Sequence, residues 1–550
     1  MAEKYVFGID LGTTYSCISY VDETGRPVVI NIDGQSTTPS VVQILDDGNV
    51  VVGQIAKDSA VAESDSVVDF VKRRMGKEGA NYSIGGNDYT PEQISAFILK
   101  KMVEDIRDSS LGLEVKDVVI TCPADFGEAE RLATKNAGII ADLNVMEIIK
   151  EPLAAAIHFG CRNDDVSKTY LVYDLGGGTF DVTIMQIGDG KIEEVCSDGN
   201  PKLGGKDWDD IIINYLREEF ASLTGLSTDS FGIEEEQMLR SEVEKAKIRL
   251  SAKNEAPIRA TISGQSERIV LTREIFDDLT SSKLDQTFDL VDSAIESAKA
   301  KGVDKIDEIL LVGGSTKMPQ VKQAIIERYG IEPKIHEPDE AVAKGAALWA
   351  AMVFIEKRKE YIEWIEGGGN ESDKPQVDNL ESYSEDLEVD SFLIGGESEL
   401  PAVTTASTKS YGIRAYKPGS NDPFVSNILL KNMQLSNGIV KGSEEYGTRE
   451  DNQPSMLIEV FESDFEEKEY DIEEGTSIGN AELSLPPGLP AGAQARVTLS
   501  LNNEGLLHVY AKDLTNNCEV EANLHVIGSL SQDQVKELTE KTKGVQISEY

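Results

Sequence analysis

One pattern is written twice in this chain. A strand-like run, FGIDLGTTYS, ends in Asp10-Leu11-Gly12 and turns through Thr13, Thr14 and Tyr15. The arrangement returns in YLVYDLGGGTFD, where Asp174-Leu175 leads into Gly176, Gly177, Gly178 and Thr179. Each copy sets a carboxylate at the end of an apolar strand and follows it with small residues. Such a turn leaves backbone N–H groups free to face an anion. A plain hairpin explains either copy alone. The repetition predicts two related lobes with a ligand cleft between them.

The segments around the two copies alternate between strand and helix. DVVITCP reads as a buried strand, and PEQISAFILKKMVEDIRDSS as a helix with Pro91 near its start. EEEQMLRSEVEKAKIRLSA is a long charged helix, and DEILLVGGSTKMPQVKQAIIERYG a strand, a Gly turn and a helix. Residues 1–360 are therefore expected to form an α/β unit. Residues 361–400 turn acidic and lose any period, which reads as a linker. Residues 401–527 carry short strands between Gly, Pro and Asn turns, the pattern of an all-β sandwich. Residues 528–550 offer one short helix, begun by a capping box of Ser531 and Gln534.

Composition excludes several function classes. The formal charge of −45 opposes binding to nucleic acid, which needs clustered Lys and Arg. No apolar run reaches the ~20 residues of a membrane span. The first residues lack the basic flank and apolar core of a secretory signal, so a cytoplasmic protein is expected. Cys17, Cys122, Cys161, Cys196 and Cys518 are scattered, with no CxxC pair. That argues against a disulfide framework or a zinc site.

The turn residues suggest phosphate chemistry. Three successive glycines let backbone approach a phosphate with no Cβ in the way. Asp10, Asp174 and Asp181 are candidate oxygen ligands for Mg²⁺, acting through its waters. Thr179 adds a hydroxyl near a terminal phosphate. Gly313 and Gly314, after the apolar strand EILLV, leave room for a flat ring or ribose on backbone.

These three elements, in this order, resemble the superfamily of actin, the sugar kinases and Hsp70. The wording of FGIDLGTTYSC, VVITCPADF, KEPLAAAIHFG, LGGKDWD, LLVGGSTKMP and EPDEAVAKGAA is similar to the Hsp70 branch. EYGTREDNQPSMLIEVFESD and NNEGLLHVYAKD extend the likeness into the second half. The resemblance implies a two-lobed, actin-like ATPase domain joined to a β-sandwich that binds peptides. It implies ATP or ADP with Mg²⁺ as ligands, slow hydrolysis, and extended hydrophobic segments of unfolded proteins as clients. Co-chaperones of the J-domain and nucleotide-exchange types are the implied partners of a monomer.

Residue roles follow the same resemblance. Lys72 is implied to reach the terminal phosphate and the attacking water. Glu151 is implied to position that water, with Asp10, Asp174 and Thr179 around the γ-phosphate. Gly204, Gly205, Glu244, Lys247, Ile248, Ser251, Gly314, Ser315, Lys317 and Asp339 match positions of the nucleotide pocket. Pro123 and Arg131 match an interdomain relay. Val425 and Met456 match groove residues, and Arg449 stands where a small arch residue is usual.

Several positions depart from the family pattern. Ile248 and Lys317 replace the two arginines that usually sandwich adenine. Without their stacking, ATP binding is expected to weaken by roughly 1–2 kcal/mol. Glu147 and Lys150 stand where Arg and Asn are common, and Leu153 where Thr is. Glu147 is expected to repel the acidic signature of a standard J-domain. The interdomain linker falls near ELPAVTTAS, less apolar than usual, with FLIGG upstream as a substitute. The family's helical lid is expected to be nearly absent.

Three other readings share parts of this pattern. One is an ATP-binding scaffold with weak turnover. Another is a small-molecule kinase, which has no use for a C-terminal sandwich. The last is an actin-like filament, whose stacking the second half would hinder.

Overall fold

The computed structural model describes residues 5–160, 167–188, 190–335, 337–366, 402–417, 419–435, 439–502, 507–515, 519–523 and 526–548. Most of the acidic stretch, FLIGG, Cys161, Cys518 and the turns at Asn503 and Asn516 lie outside these residues.

The repeated pattern becomes a repeated topology. Strand Phe7–Asp10 pairs antiparallel with Tyr15–Val21 and parallel with Asp117–Cys122. Strand Lys168–Leu175 pairs antiparallel with Phe180–Gly188 and parallel with Glu308–Val312. Each lobe is thus one mixed sheet with its Asp-Leu-Gly turn at the same strand end. Asp117–Cys122 is buried at every position, as a central strand covered on both faces must be.

Helices cover these sheets. Pro91–Asp108 starts where the sequence indicates: Pro91 occupies its first turn, and Thr90 accepts the amide N–H of Gln93. The charged helix spans Ile233–Ala252. Among the described residues, no helix is long and apolar enough to cross a membrane.

The second half is a two-sheet sandwich. Glu469–Asp471, Pro423–Leu429, Ser410–Tyr416, Ser455–Ser463 and Thr476–Ser484 form one sheet in that order. Ile439–Gly447, Gln494–Asn502, Leu507–Asp513 and Glu519–Asn523 form the other. Alternating residues such as Val497, Leu499 and Leu501 fill the core between them.

Two segments bind this sandwich to the lobes. Strand Ala402–Thr404 lies parallel to Lys191–Asn200, so ELPAVTTAS supplies an edge strand to the second lobe's sheet. The C-terminal helix Gln532–Lys543 carries the capping box read from Ser531 and Gln534. It docks on the first lobe, where Val535 enters the core and Leu538 and Ile547 pack against it. Lys100 Nζ donates to the carbonyls of Thr542 (2.8 Å) and Val545 (2.5 Å).

Candidate functional site

The two Asp-Leu-Gly turns meet face to face. A Cβ added at Gly177 would stand 1.8 Å from Thr14 Oγ1, and one at Gly178 would stand 2.3 Å from Thr13 Cγ2. Only glycine allows the turns to close this far. Gly205 N–H donates to Gly176 O at 3.0 Å, and Lys206 N–H to Gly177 O at 2.9 Å. The second turn is therefore fixed against the start of helix Gly205–Thr224. Arg73 holds it from the other side, donating to Gly178 O at 2.6 Å and pairing with Asp207.

Beside these turns lies a cavity of about 630 Å³. Asp10, Lys72, Glu151, Asp174 and Thr179 line one end, with Gly12, Thr13, Thr14 and Tyr15 above them. Gly176 and Gly177 complete that end. Glu244, Lys247, Ile248, Ser251, Gly314, Ser315, Lys317 and Asp339 line the rest, and Gly313 lies against Asp174 between the two groups. Gly178, Gly204 and Gly205 sit just behind the wall. Asp181 also lies behind it, opposite Asp174 in the strand register.

The closed end is strongly charged and buried. Lys72 Nζ lies 2.5 Å from Glu151 Oε1, with both side chains buried. Thr121 Oγ1 donates to Asp10 at 3.2 Å. Burial, then the Glu151 carboxylate, pushes the Asp10 carboxyl up to about 7. The same two causes raise Asp181 to about 8 and lift Asp174 well above the carboxylate range. Burial opposes the Lys72 charge, but Glu151 and Asp10 hold its ammonium above the usual lysine value. Asp174 Oδ2 and Thr14 Oγ1 are buried without a hydrogen-bond partner among the described residues.

This arrangement fits a nucleotide triphosphate with Mg²⁺. Excess buried carboxylate calls for a cation. Unpaired oxygens at the turns and a cradle that any Cβ would fill call for phosphate and metal-bound water. No group of three or more His, Cys, Asp or Glu residues among the described ones forms a metal cage. Mg²⁺ needs none, because it keeps waters and takes phosphate oxygens.

The open end suits a nucleoside. Ser315 Oγ donates to Gly176 O, and Lys247 Nζ to Gly205 O, tying this end to the phosphate turn. Ile248 is 62 % exposed at the rim, and Lys317 is paired with Asp339. Neither offers a free guanidinium to a ring. Lys57 joins Glu244 at 2.7 Å and donates to Tyr15 Oη, crossing the cleft mouth from the first lobe to the second. Sequence reading missed Lys57 and Arg73. Arg73 adjoins Lys72, but only the fold brings it to Gly178.

Pro123 opens the loop after strand Asp117–Cys122, and Arg131 stands in the first turn of helix Glu128–Ile140 that follows it. Arg131 donates to Phe126 O at 2.9 Å and to Ala124 O at 3.2 Å, cradling the loop from beneath. Glu147 accepts a hydrogen bond from Trp349 Nε1 at 2.8 Å, so its carboxylate already meets a donor within the chain.

In the sandwich, Val425 is 0 % exposed and packs with Phe461 and Tyr470. That small cluster is separate from the main core, which takes Ile428 and Leu429 from the same strand. Met456 packs at the edge of the main core. Arg449 stacks over the Tyr416 ring at 4.0 Å and donates to Asn421, forming a bridge the sequence did not reveal.

Comparison with known proteins bears on this geometry. The model of the family "Hsp70 protein" matches residues 6–84, 77–362 and 427–549. The chaperone protein DnaK of Thermosipho melanesiensis is 37 % identical over 98 % of this chain and 83 % of its own length. That of Thermotoga maritima is 37 % identical over 99 % of this chain and 84 % of its own. The chain belongs to the Hsp70 family. It is an Hsp70-type chaperone, a Mg²⁺-dependent ATPase whose slow hydrolysis controls binding of extended hydrophobic segments of unfolded proteins. The kinase and filament readings fall with that result.

Proposed function

We propose that the cleft between the lobes is the ATP site and that each residue named above keeps its implied role there. The carrying observation is the Lys72–Glu151 pair, buried at the closed end beside Asp10 and Asp174, where the two phosphate turns meet. Phosphoryl transfer depends mostly on position and on electrostatic support of spread charge. Bound Mg²⁺ supplies neutralisation of phosphate charge. Asp10, Asp174 and Asp181 hold its waters, Lys72 donates toward the terminal phosphate, and Glu151 orients the attacking water. Thr13, Thr14 and Thr179 give hydroxyls to the phosphate chain. Glu244, Lys247, Ser251, Ser315 and Asp339 hold the nucleoside.

The proposed division runs 1–360 for the ATPase domain, 361–400 for the linker, 401–527 for the peptide-binding sandwich and 528–550 for the terminal helix. Strand Ala402–Thr404 is the joint through which the sandwich docks. Met456 and the Arg449–Tyr416 bridge stand at the peptide groove. The protein acts as a cytoplasmic monomer. A nucleotide-exchange factor is a further partner, and a J-domain partner needs charges adapted to Glu147.

Titration calorimetry with ATP tests the site, with and without Mg²⁺. One ATP should bind per chain, with Mg²⁺ strengthening it, and Asp174→Asn should lose that Mg²⁺ effect. An Asp174→Asn protein with the full Mg²⁺ effect would remove Asp174 from the metal site.

A further inference from the structure

We infer that Lys409, on the sandwich, is a positioning residue for Asp181 in the ATPase reaction. The inference rests on the reading of Asp181 as a holder of Mg²⁺ waters. Asp181 Oδ1 accepts the backbone N–H of Asp125 at 3.0 Å. That amide belongs to the loop between strand Asp117–Cys122 and helix Glu128–Ile140. Its place is set by what grips the loop.

Two grips come from the sandwich. Lys409 Nζ lies 2.6 Å from Asp125 Oδ1, with both side chains buried. Glu462 accepts the N–H of Glu128 at 3.1 Å, at the other end of the loop. Arg131 supports the carbonyls of Ala124 and Phe126 from below. Room to shift is small: a Cβ at Gly199 would come within 3.0 Å of Asp181 Oδ1 and 3.1 Å of the Asp125 Cβ. Releasing Lys409 thus frees Asp125 to rotate, moves its amide and turns the Asp181 carboxylate. A residue from the peptide-binding half reaches the metal site through one intermediate.

Lys431 provides the control. It lies on the same sandwich face and pairs with Asp464, as Lys409 does, and with Asp198. The described contacts give it none with Asp125. Loss of docking charge alone therefore affects Lys409→Met and Lys431→Met alike.

The test compares Lys409→Met, Lys409→Arg, Lys431→Met and Asp181→Asn in the full chain. One readout is the Mg²⁺ concentration for half-maximal single-turnover ATP hydrolysis. The other is amide hydrogen exchange of residues 121–128 without nucleotide. Partners that orient metal-holding groups are typically worth about 10–100-fold in metal affinity or activity. Lys409→Met is expected to raise the Mg²⁺ requirement about tenfold and speed exchange in the loop. Lys431→Met should do neither, and Lys409→Arg should restore most of both. Equal effects of Lys409→Met and Lys431→Met, or none from either, overturn the inference. An unchanged Mg²⁺ requirement in Asp181→Asn overturns instead the reading beneath it.

Discussion

The nucleotide cleft and the seam between lobes and sandwich both gather buried charge around a lysine, but they finish the task differently. At the cleft, Lys72 faces Glu151, Asp10 and Asp174, and Asp174 Oδ2 keeps no partner among the described residues. At the seam, Lys150 is fully satisfied. Its Nζ reaches both Glu194 oxygens at 2.7 and 2.9 Å and Ala406 O at 2.7 Å. Glu194 also accepts the Ala406 N–H at 3.3 Å. The cleft is left open for a ligand, whereas the seam is sealed by the protein's own docked strand. A sealed polar network of this kind loses a partner when the strand leaves, so its state reports docking. Lys150 also directly precedes Glu151, which joins the two regions in the chain.

Breaking the seam should have the largest effect. Lys150→Met leaves Glu194 buried without its cation, at a cost of about 3–5 kcal/mol. Chemical denaturation of the full chain should show it, and pairing the change with Glu194→Met should recover most of the loss. A loss below about 1 kcal/mol would mean an ordinary surface pair. At the cleft, Lys72→Met should slow single-turnover hydrolysis by about 10²–10³-fold while ATP still binds. Hydrolysis near the parent rate would take Lys72 out of the reaction.

Two smaller changes sharpen the contrast. Ser531→Ala removes the cap of the terminal helix, worth about 1 kcal/mol. Hydrogen exchange should quicken in residues 532–543 and stay unchanged at the cleft. Exchange rising equally everywhere would deny the helix a local role. Ile248→Arg should tighten ATP binding by about 0.5–1 kcal/mol by stacking at the rim. Calorimetry that finds no gain would place the base away from Ile248.

The same contrast explains what the sequence made legible. The cleft is built from short words whose parts are neighbours in the chain: Asp10 with Gly12, Asp174 with Gly176–Gly178, Gly313 with Ser315. Thr90 and Pro91, or Ser531 and Gln534, are equally local, so helix starts could be read directly. The seam joins Lys150 to Ala406 and Lys409 to Asp125, 256 and 284 residues apart. No spacing announces such pairs. Lys150 was visible only as an odd residue, and Lys409 not at all. The burial of Val425 was hidden for another reason. PFVSNIL is apolar on both faces, so its period does not say which side chains turn inward. Tyr416 escaped notice because its partner Arg449 arrives from the turn after strand Ile439–Gly447.

The central claim is that the cleft and the sandwich communicate through the seam. Steady-state ATP turnover at saturating ATP and Mg²⁺, with and without a short extended hydrophobic peptide, tests it most directly. The account predicts a slow basal rate that rises with peptide in the parent chain and fails to rise in Lys150→Met. A parent rate that stays flat while the peptide is shown to be bound would contradict it.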